Sequence, residues 1–252
     1  MKTIQAEIKN RKGNTLRGIV TLPGEGRYPA VLNLHGFGGN MSGYKALHVS
    51  MARELAAAGI GCVRFDFYGN GESDGEFDEM TFTGLLEDTE DLWRWTAGQP
   101  WADESRMILS GQSMGGLVAA LAAPRLRPHA LILMCPGAGM WYGCRERSQA
   151  MEEQGIAFGD IEGLKFSHAF NYDLANYHPF RDAKGYQGRV LILRGTADDL
   201  VDDKVCGTYL ELYGPDSRLV HIEGGNHNFA NIPARTALNE EICRFAKEVS
   251  QL

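Results

Sequence analysis

Gly111-Gln112-Ser113-Met114-Gly115 sets a serine between two glycines. Met107-Ile108-Leu109 before it reads as a strand, and Leu117 to Ala123 after it reads as a helix. A serine on so sharp a strand-to-helix turn projects its hydroxyl at a helix N-terminus, where free N–H groups and the helix dipole favour developing negative charge. A serine hydroxyl is a weak nucleophile at neutral pH, so acyl transfer also requires a base and an acid that orients the base.

Both partners occur later in the chain, in the order serine, acid, histidine. Val190-Leu191-Ile192-Leu193-Arg194 runs into Gly195-Thr196-Ala197-Asp198-Asp199, and Leu219-Val220-His221-Ile222 runs into Glu223-Gly224-Gly225-Asn226-His227. Each polar residue then stands just past the C-terminal end of a strand, where open α/β sheets carry their sites. The tight Gly-x-x turn favours Asp198 as the acid, with adjacent Asp199 as the alternative; Asp202 and Asp203 suit a helix start. His227 is favoured as the base by position, whereas His221 lies inside a strand. No histidines show metal-ligand spacing, so neither a metal nor a cofactor is expected.

A tetrahedral oxyanion needs donors. One is the main-chain N–H of Met114, the residue after the serine. The other belongs to the loop His35-Gly36-Phe37-Gly38-Gly39, with the Phe37 N–H preferred and Gly36 next. His35 and Asp66 are read as residues that shape their loops.

The elements that position these groups are legible as periodicities. Residues 3–8 and 15–22 alternate as a hairpin. Strands follow at 29–34, 61–67, 107–110, 130–134, 190–194 and 218–222. Helices are expected over 44–58, 85–97, 114–123 (ended by Pro124), 202–213 and 233–249. Continuous apolar strands separated by amphipathic helices imply a mostly parallel sheet covered on both faces. One connection, residues 135–189, is too long for a plain crossover. It is rich in aromatic residues, Trp141, Tyr142, Phe158, Phe166, Phe170 and Tyr177 among them. A lid over a pocket at about 136–186 is expected, within a single domain spanning 1–252; the alternative is that the rings only hold the insertion together.

Composition narrows the function classes. The 252 residues are 44% hydrophobic, with 25 basic and 32 acidic residues and a net charge of −7. That balance lacks the basic footprint of a nucleic-acid or anionic-membrane partner. No apolar run is long enough to cross a membrane, and no signal-peptide core stands at Met1 to Glu7. Cys62, Cys135, Cys144, Cys206 and Cys243 form no C-x-x-C and read mostly as small buried hydrophobes, in keeping with a reducing, cytoplasmic compartment.

Five ordered motifs, H-G-F-G-G, the turn from Asp66 to Ser73, G-Q-S-M-G, G-T-A-D and the turn at Gly225-Asn226-His227, together resemble the α/β-hydrolase superfamily over nearly the whole chain. Within it the chain is similar to small bacterial cinnamoyl or feruloyl esterases. The resemblance implies an α/β-hydrolase fold with a lid inserted after the sixth strand. It implies a serine carboxylesterase acting on hydroxycinnamic esters, with Ser113, Asp198 and His227 as triad and Phe37 and Met114 as oxyanion donors. Trp141 and Tyr142 are its expected substrate contacts, a small-molecule ester its partner, and a homodimer an assembly that the resemblance alone makes plausible. Related activities are those of short-chain acyl esterases, monoglyceride lipases, serine peptidases and carbon–carbon hydrolases.

Overall fold

In the computed structural model, which describes residues 1–252, the chain opens on the hairpin β1 (Lys2–Lys9) and β2 (Thr15–Leu22). Repeated alternation follows: β3 (Tyr28–Leu34), α1 (Leu47–Ala57), β4 (Gly61–Phe65), α2 (Phe82–Ala97), β5 (Ala102–Gln112), α3 (Met114–Leu126) and β6 (Ala130–Met134). The insertion holds α4 (Cys144–Glu153), the small hairpin β7 (Gly159–Ile161) and β8 (Leu164–Phe166), and α5 (His168–Leu174). The chain then closes with β9 (Arg189–Gly195), α6 (Asp203–Tyr213), β10 (Ser217–Ile222) and α7 (Ile232–Ser250).

Eight strands form one sheet in the order β1-β2-β4-β3-β5-β6-β9-β10. Only β1–β2 and β2–β4 pair antiparallel; every other neighbour is parallel. Residues of β4 and β6 are buried without exception, as continuous apolar strands covered on both faces must be. The connection from β3 runs outward to β4, and the connection from β4 returns across β3 to β5. Right-handed crossovers of opposite direction place α1 on one face of the sheet and α2 and α3 on the other. The chain therefore parts to opposite faces beyond the ends of β3 and β5, which opens a crevice there.

The helices differ from the sequence expectation at their ends, for local reasons. α2 starts at Phe82 because Thr81 caps it, its side chain accepting the Gly84 N–H. α3 runs past Pro124 to Leu126 and stops at Arg127, which takes a left-handed conformation. α1 starts only at Leu47; residues 44–46 make a 3-10 turn in which Lys45 and Ala46 are left-handed. No helix is long and apolar enough to cross a membrane.

Several of the insertion's rings turn inward, although Tyr142 and Phe158 stay exposed. Phe166 and Phe170 pack against Phe37, Phe170 also meets Phe82, and Tyr177 meets Phe82. Asp173 in α5 accepts from the Thr83 N–H (2.6 Å) and hydroxyl (2.8 Å) at the start of α2. Lys165 pairs with Asp78 at 2.7 Å. These contacts fasten the insertion to the main body.

Candidate active site

The elbow after β5 is built by close approach. Ser113 adopts φ 53°, ψ −118°, a left-handed backbone that costs on the order of 1–3 kcal/mol and persists only where its surroundings impose it. Here the Ser113 N–H donates to the Met134 carbonyl (2.9 Å), and its carbonyl accepts from Gly137 (2.8 Å) and Leu117 (3.1 Å). A Cβ at Gly111 would collide with the Gly115 carbonyl, and one at Gly115 with the Leu34 carbonyl, so both flanking glycines are steric requirements.

The histidine and the acid come from the two loops past β9 and β10. The Ala197 N–H donates to the Gly225 carbonyl (2.9 Å), and the Gly224 N–H to Thr196 Oγ1 (2.8 Å), which ties the loops together. His227 Nδ1 lies 3.0 Å and 3.2 Å from the two Asp198 oxygens. Asp198 Oδ1 also accepts the N–H groups of Leu200 (2.9 Å) and Val201 (3.0 Å). The Asp198 side chain is 0% exposed. Burial alone would raise its pKa, but the His227 hydrogen bond and the two main-chain donors outweigh burial and hold it below the usual carboxylate value. An ionised Asp198 fixes the proton on Nδ1 and leaves the Nε2 lone pair for the cleft. Asp199 is exposed and takes no part in this cluster.

Ser113 and His227 line one cleft of about 900 Å³. The serine hydroxyl makes no hydrogen bond to the imidazole in this geometry, as is common before substrate tightens such contacts. Gly36 lies against the serine: a Cβ there would stand 3.4 Å from Ser113 Cβ. The next residue's N–H, at Phe37, donates to no protein acceptor. Met114 is the first residue of α3, so its N–H has no partner within the helix. Phe37 thus lines the same cleft as the serine, and Met114 follows the serine in the chain.

Loop-shaping residues hold this arrangement. His35 Nδ1–H donates to the Gly36 carbonyl (2.9 Å) and its Nε2 accepts the Phe67 N–H (3.2 Å). Asp66 accepts from Met41 (2.5 Å) and Glu72 (2.9 Å), linking the loops after β3 and β4.

The cleft wall departs from expectation. Trp141 packs on His178, ring centroids 4.6 Å apart, and Tyr142 is 50% exposed; neither lines the cleft. Their neighbours Gly139 and Met140 do, because the 3-10 turn at 138–141 directs the larger rings away. Ile161, Glu162 and Leu164 of the small hairpin also line it, as do Tyr44 and Lys45. Sequence reasoning missed these residues, although Gly163 between two short runs marked a hairpin. Cys135, Asp198 and His227 gather donor atoms within 4.8 Å of one another. Burial raises the Cys135 thiol well above its ordinary pKa, and the neutral S–H donates to the His227 carbonyl at 3.4 Å.

Residues 28–153, half of the chain, match the model of the family described as serine aminopeptidase, S33. The chain belongs to that family. The match spans β3 through the elbow and into the insertion, so it includes Ser113 and the Phe37 loop but neither Asp198 nor His227. Among curated proteins, an uncharacterised 31.7 kDa protein of the traX-finO intergenic region of Escherichia coli is 32% identical over 90 residues. That alignment covers 36% of this chain and 30% of the relative's length. Among solved structures, Est1E from Butyrivibrio proteoclasticus with ferulic acid bound superimposes with a TM-score of 0.84 at 23% identity, over 96% of this chain and 98% of that one. The α/β hydrolase GrgF from Penicillium sp. sh18 gives 0.78 at 19%, over 100% of both chains. An esterase domain from Rhodothermus marinus gives 0.74 at 17%, over 98% of this chain and 99% of that one. At these identities the structural likeness establishes the α/β-hydrolase fold.

Proposed function

We propose that this S33-family hydrolase is a serine carboxylesterase that works through an acyl-enzyme. The observation that carries the reading is the buried Asp198 carboxylate held on His227 Nδ1, with Ser113 on a strained elbow in the same cleft. Ser113 Oγ adds to the ester carbonyl as its proton passes to His227 Nε2. Asp198 stabilises the imidazolium that forms. The Phe37 and Met114 N–H groups receive the oxyanion. The C–O bond to the alcohol then breaks, and the alcohol leaves with the proton from Nε2. Water gives a proton to Nε2 as its oxygen adds to the acyl carbon. The carboxylic acid departs, and Ser113 regains its proton.

For the acyl group we propose hydroxycinnamic acids. In support, Phe37, Met140, Ile161, Leu164 and Val201 give the cleft an apolar side, and one protein of the same fold was solved with ferulic acid. The segment at 136–186 serves as the lid, and the small-molecule ester is the partner. The five free cysteines support a cytoplasmic setting. A second reading, an aminopeptidase, is favoured by Glu162: this exposed carboxylate in the cleft wall could pair with a substrate's terminal ammonium.

The test is hydrolysis of methyl ferulate, p-nitrophenyl acetate, p-nitrophenyl butyrate and aminoacyl p-nitroanilides by wild type and Ser113→Ala. Turnover of all three esters, lost in the variant, is the expected result. Turnover confined to the p-nitrophenyl esters would remove the aromatic-acyl assignment. Serine-dependent turnover of the anilides alone would establish the second reading.

A further inference from the structure

The His227 main-chain carbonyl accepts two hydrogen bonds from the floor of the cleft. One is from Gln112 Nε2 at 3.1 Å and the other from the Cys135 thiol at 3.4 Å. Gln112 Nε2 also reaches Asn228 Oδ1 at 3.4 Å. Gln112 precedes Ser113 in the elbow and is 4% exposed. Its other amide atom, Oε1, lies 2.9 Å from Nε2 of His48, a residue of α1 that is 1% exposed. A carbonyl only accepts, so the Gln112 nitrogen must face His227 and its oxygen must face His48. His48 therefore carries its proton on Nε2. Its Nδ1 is then an unprotonated nitrogen, and that atom is buried without a partner.

We propose that Gln112 and His48 are a positioning pair that sets the height of the His227 imidazole above Ser113. The inference rests on the serine-hydrolase reading of that site. Asp198 orients the ring through Nδ1, but a ring-side contact leaves the main chain free to slide. The loop carrying His227 follows β10, an edge strand paired only with β9, and residues 223, 224 and 226 are exposed. Phe229, fully buried, anchors the far side of the loop. Gln112 anchors His227 itself. Because Gln112 and Ser113 are consecutive, one side chain gauges the separation of nucleophile and base. His48 does no chemistry; it holds the gauge in its working orientation. Without the His48 donor, the amide can turn its oxygen toward the His227 carbonyl, and two acceptors then repel.

Displacement of a base by about 1 Å costs on the order of 10²-fold in rate. The test measures kcat and KM for the ester that wild type turns over best, with Ser113→Ala in the same assay. Gln112→Leu is expected to lower kcat by about 10- to 100-fold with KM within about 2-fold. His48→Leu should lower kcat less, and the double variant should match Gln112→Leu, since both act through one contact. His48→Gln, which restores an N–H donor toward Gln112 Oε1, should recover most of the lost kcat. The downfield proton of the His227–Asp198 hydrogen bond should move in Gln112→Leu and return toward its place in His48→Gln. A rise in KM matching the fall in kcat, additive losses in the double variant, or no recovery in His48→Gln would overturn the proposal. Full activity in Gln112→Leu beside a dead Ser113→Ala would overturn the positioning role alone. Undiminished turnover by Ser113→Ala would instead overturn the reading beneath it.

Discussion

The Phe37 ring stands edge-on against the Phe166 ring, with centroids 5.3 Å apart and planes at 83°. The residue offered as an oxyanion donor through its main chain is thus also the residue on which the insertion rests. Phe77 and Phe170 complete the cluster at 5.2 and 5.6 Å. Edge-to-face pairs of this kind add about 0.5–1.5 kcal/mol beyond the area they bury. A side-chain change at Phe37 therefore cannot be silent, even though its proposed contact with substrate is a backbone N–H.

Phe166→Ala should cost about 3 kcal/mol of stability, as deletion of a buried ring does. It should also lower kcat/KM by about 10-fold, since the Phe37 loop loses its brace. Urea unfolding and ester kinetics on the same preparation check both. A stability loss with unchanged kinetics would separate the insertion from the oxyanion loop.

Asp198→Asn should reduce kcat by about 10⁴, because a neutral amide no longer fixes the His227 tautomer or stabilises the imidazolium. Asp199→Asn should stay within about 2-fold of wild type, since the Asp199 carboxylate is exposed and bonded to nothing. Parallel kinetics on the two variants decide between neighbours that the sequence leaves close.

Burial pushes the His48 pKa down to about 3, with the Gln112 hydrogen bond opposing it and the Arg64 charge adding to it. The folded protein then keeps His48 neutral below pH 6.5, where the unfolded chain takes up a proton. The unfolded state binds more protons between about pH 6.5 and 3, so stability falls as pH falls through that window. From pH 6.5 to 5 this one group should remove about 2 kcal/mol. Urea midpoints at pH 7 and 5 should show that loss in wild type and a clearly smaller one in His48→Leu. Equal pH dependence in the two proteins would remove His48 as the source.

Gly137→Ala places a methyl 2.9–3.1 Å from main-chain atoms of Ser113 and Met114. Backbone cannot give way there without moving the elbow, so a loss of about 1–3 kcal/mol is expected. Displacement of the Met114 N–H should cost about 10²-fold in kcat. Gly207→Ala, inside α6 with nothing within 4 Å, should instead stabilise by about 0.5–1 kcal/mol. Thermal melts and kinetics on both variants test the contrast.

The sequence by itself determined the elbow and the order of its partners. Strand and helix periodicity, a serine between two glycines, and polar residues just past the Val190 and Leu219 strands are local signals. Local backbone preference and apolar spacing decide them, and the eight-stranded sheet follows from their alternation. The Gly-x-x turn already favoured Asp198 over Asp199, and the same local turn gives the Asp198 carboxylate the Leu200 and Val201 N–H groups. Which insertion residues face the cleft was not local. Met140 rather than Trp141 faces the cleft because a 3-10 turn rotates successive side chains apart. The insertion's aromatic residues read alike whether they face substrate, solvent or one another; packing against Phe37 and Phe82 turned Phe166 and Phe170 inward, while Tyr142 and Phe158 stay exposed. Gln112 and His48 are 64 residues apart, and their contact exists only because the crevice brings α1 beside the end of β5. Tertiary structure decided these points because each depends on what lies across the fold, and a sequence records only what lies along the chain.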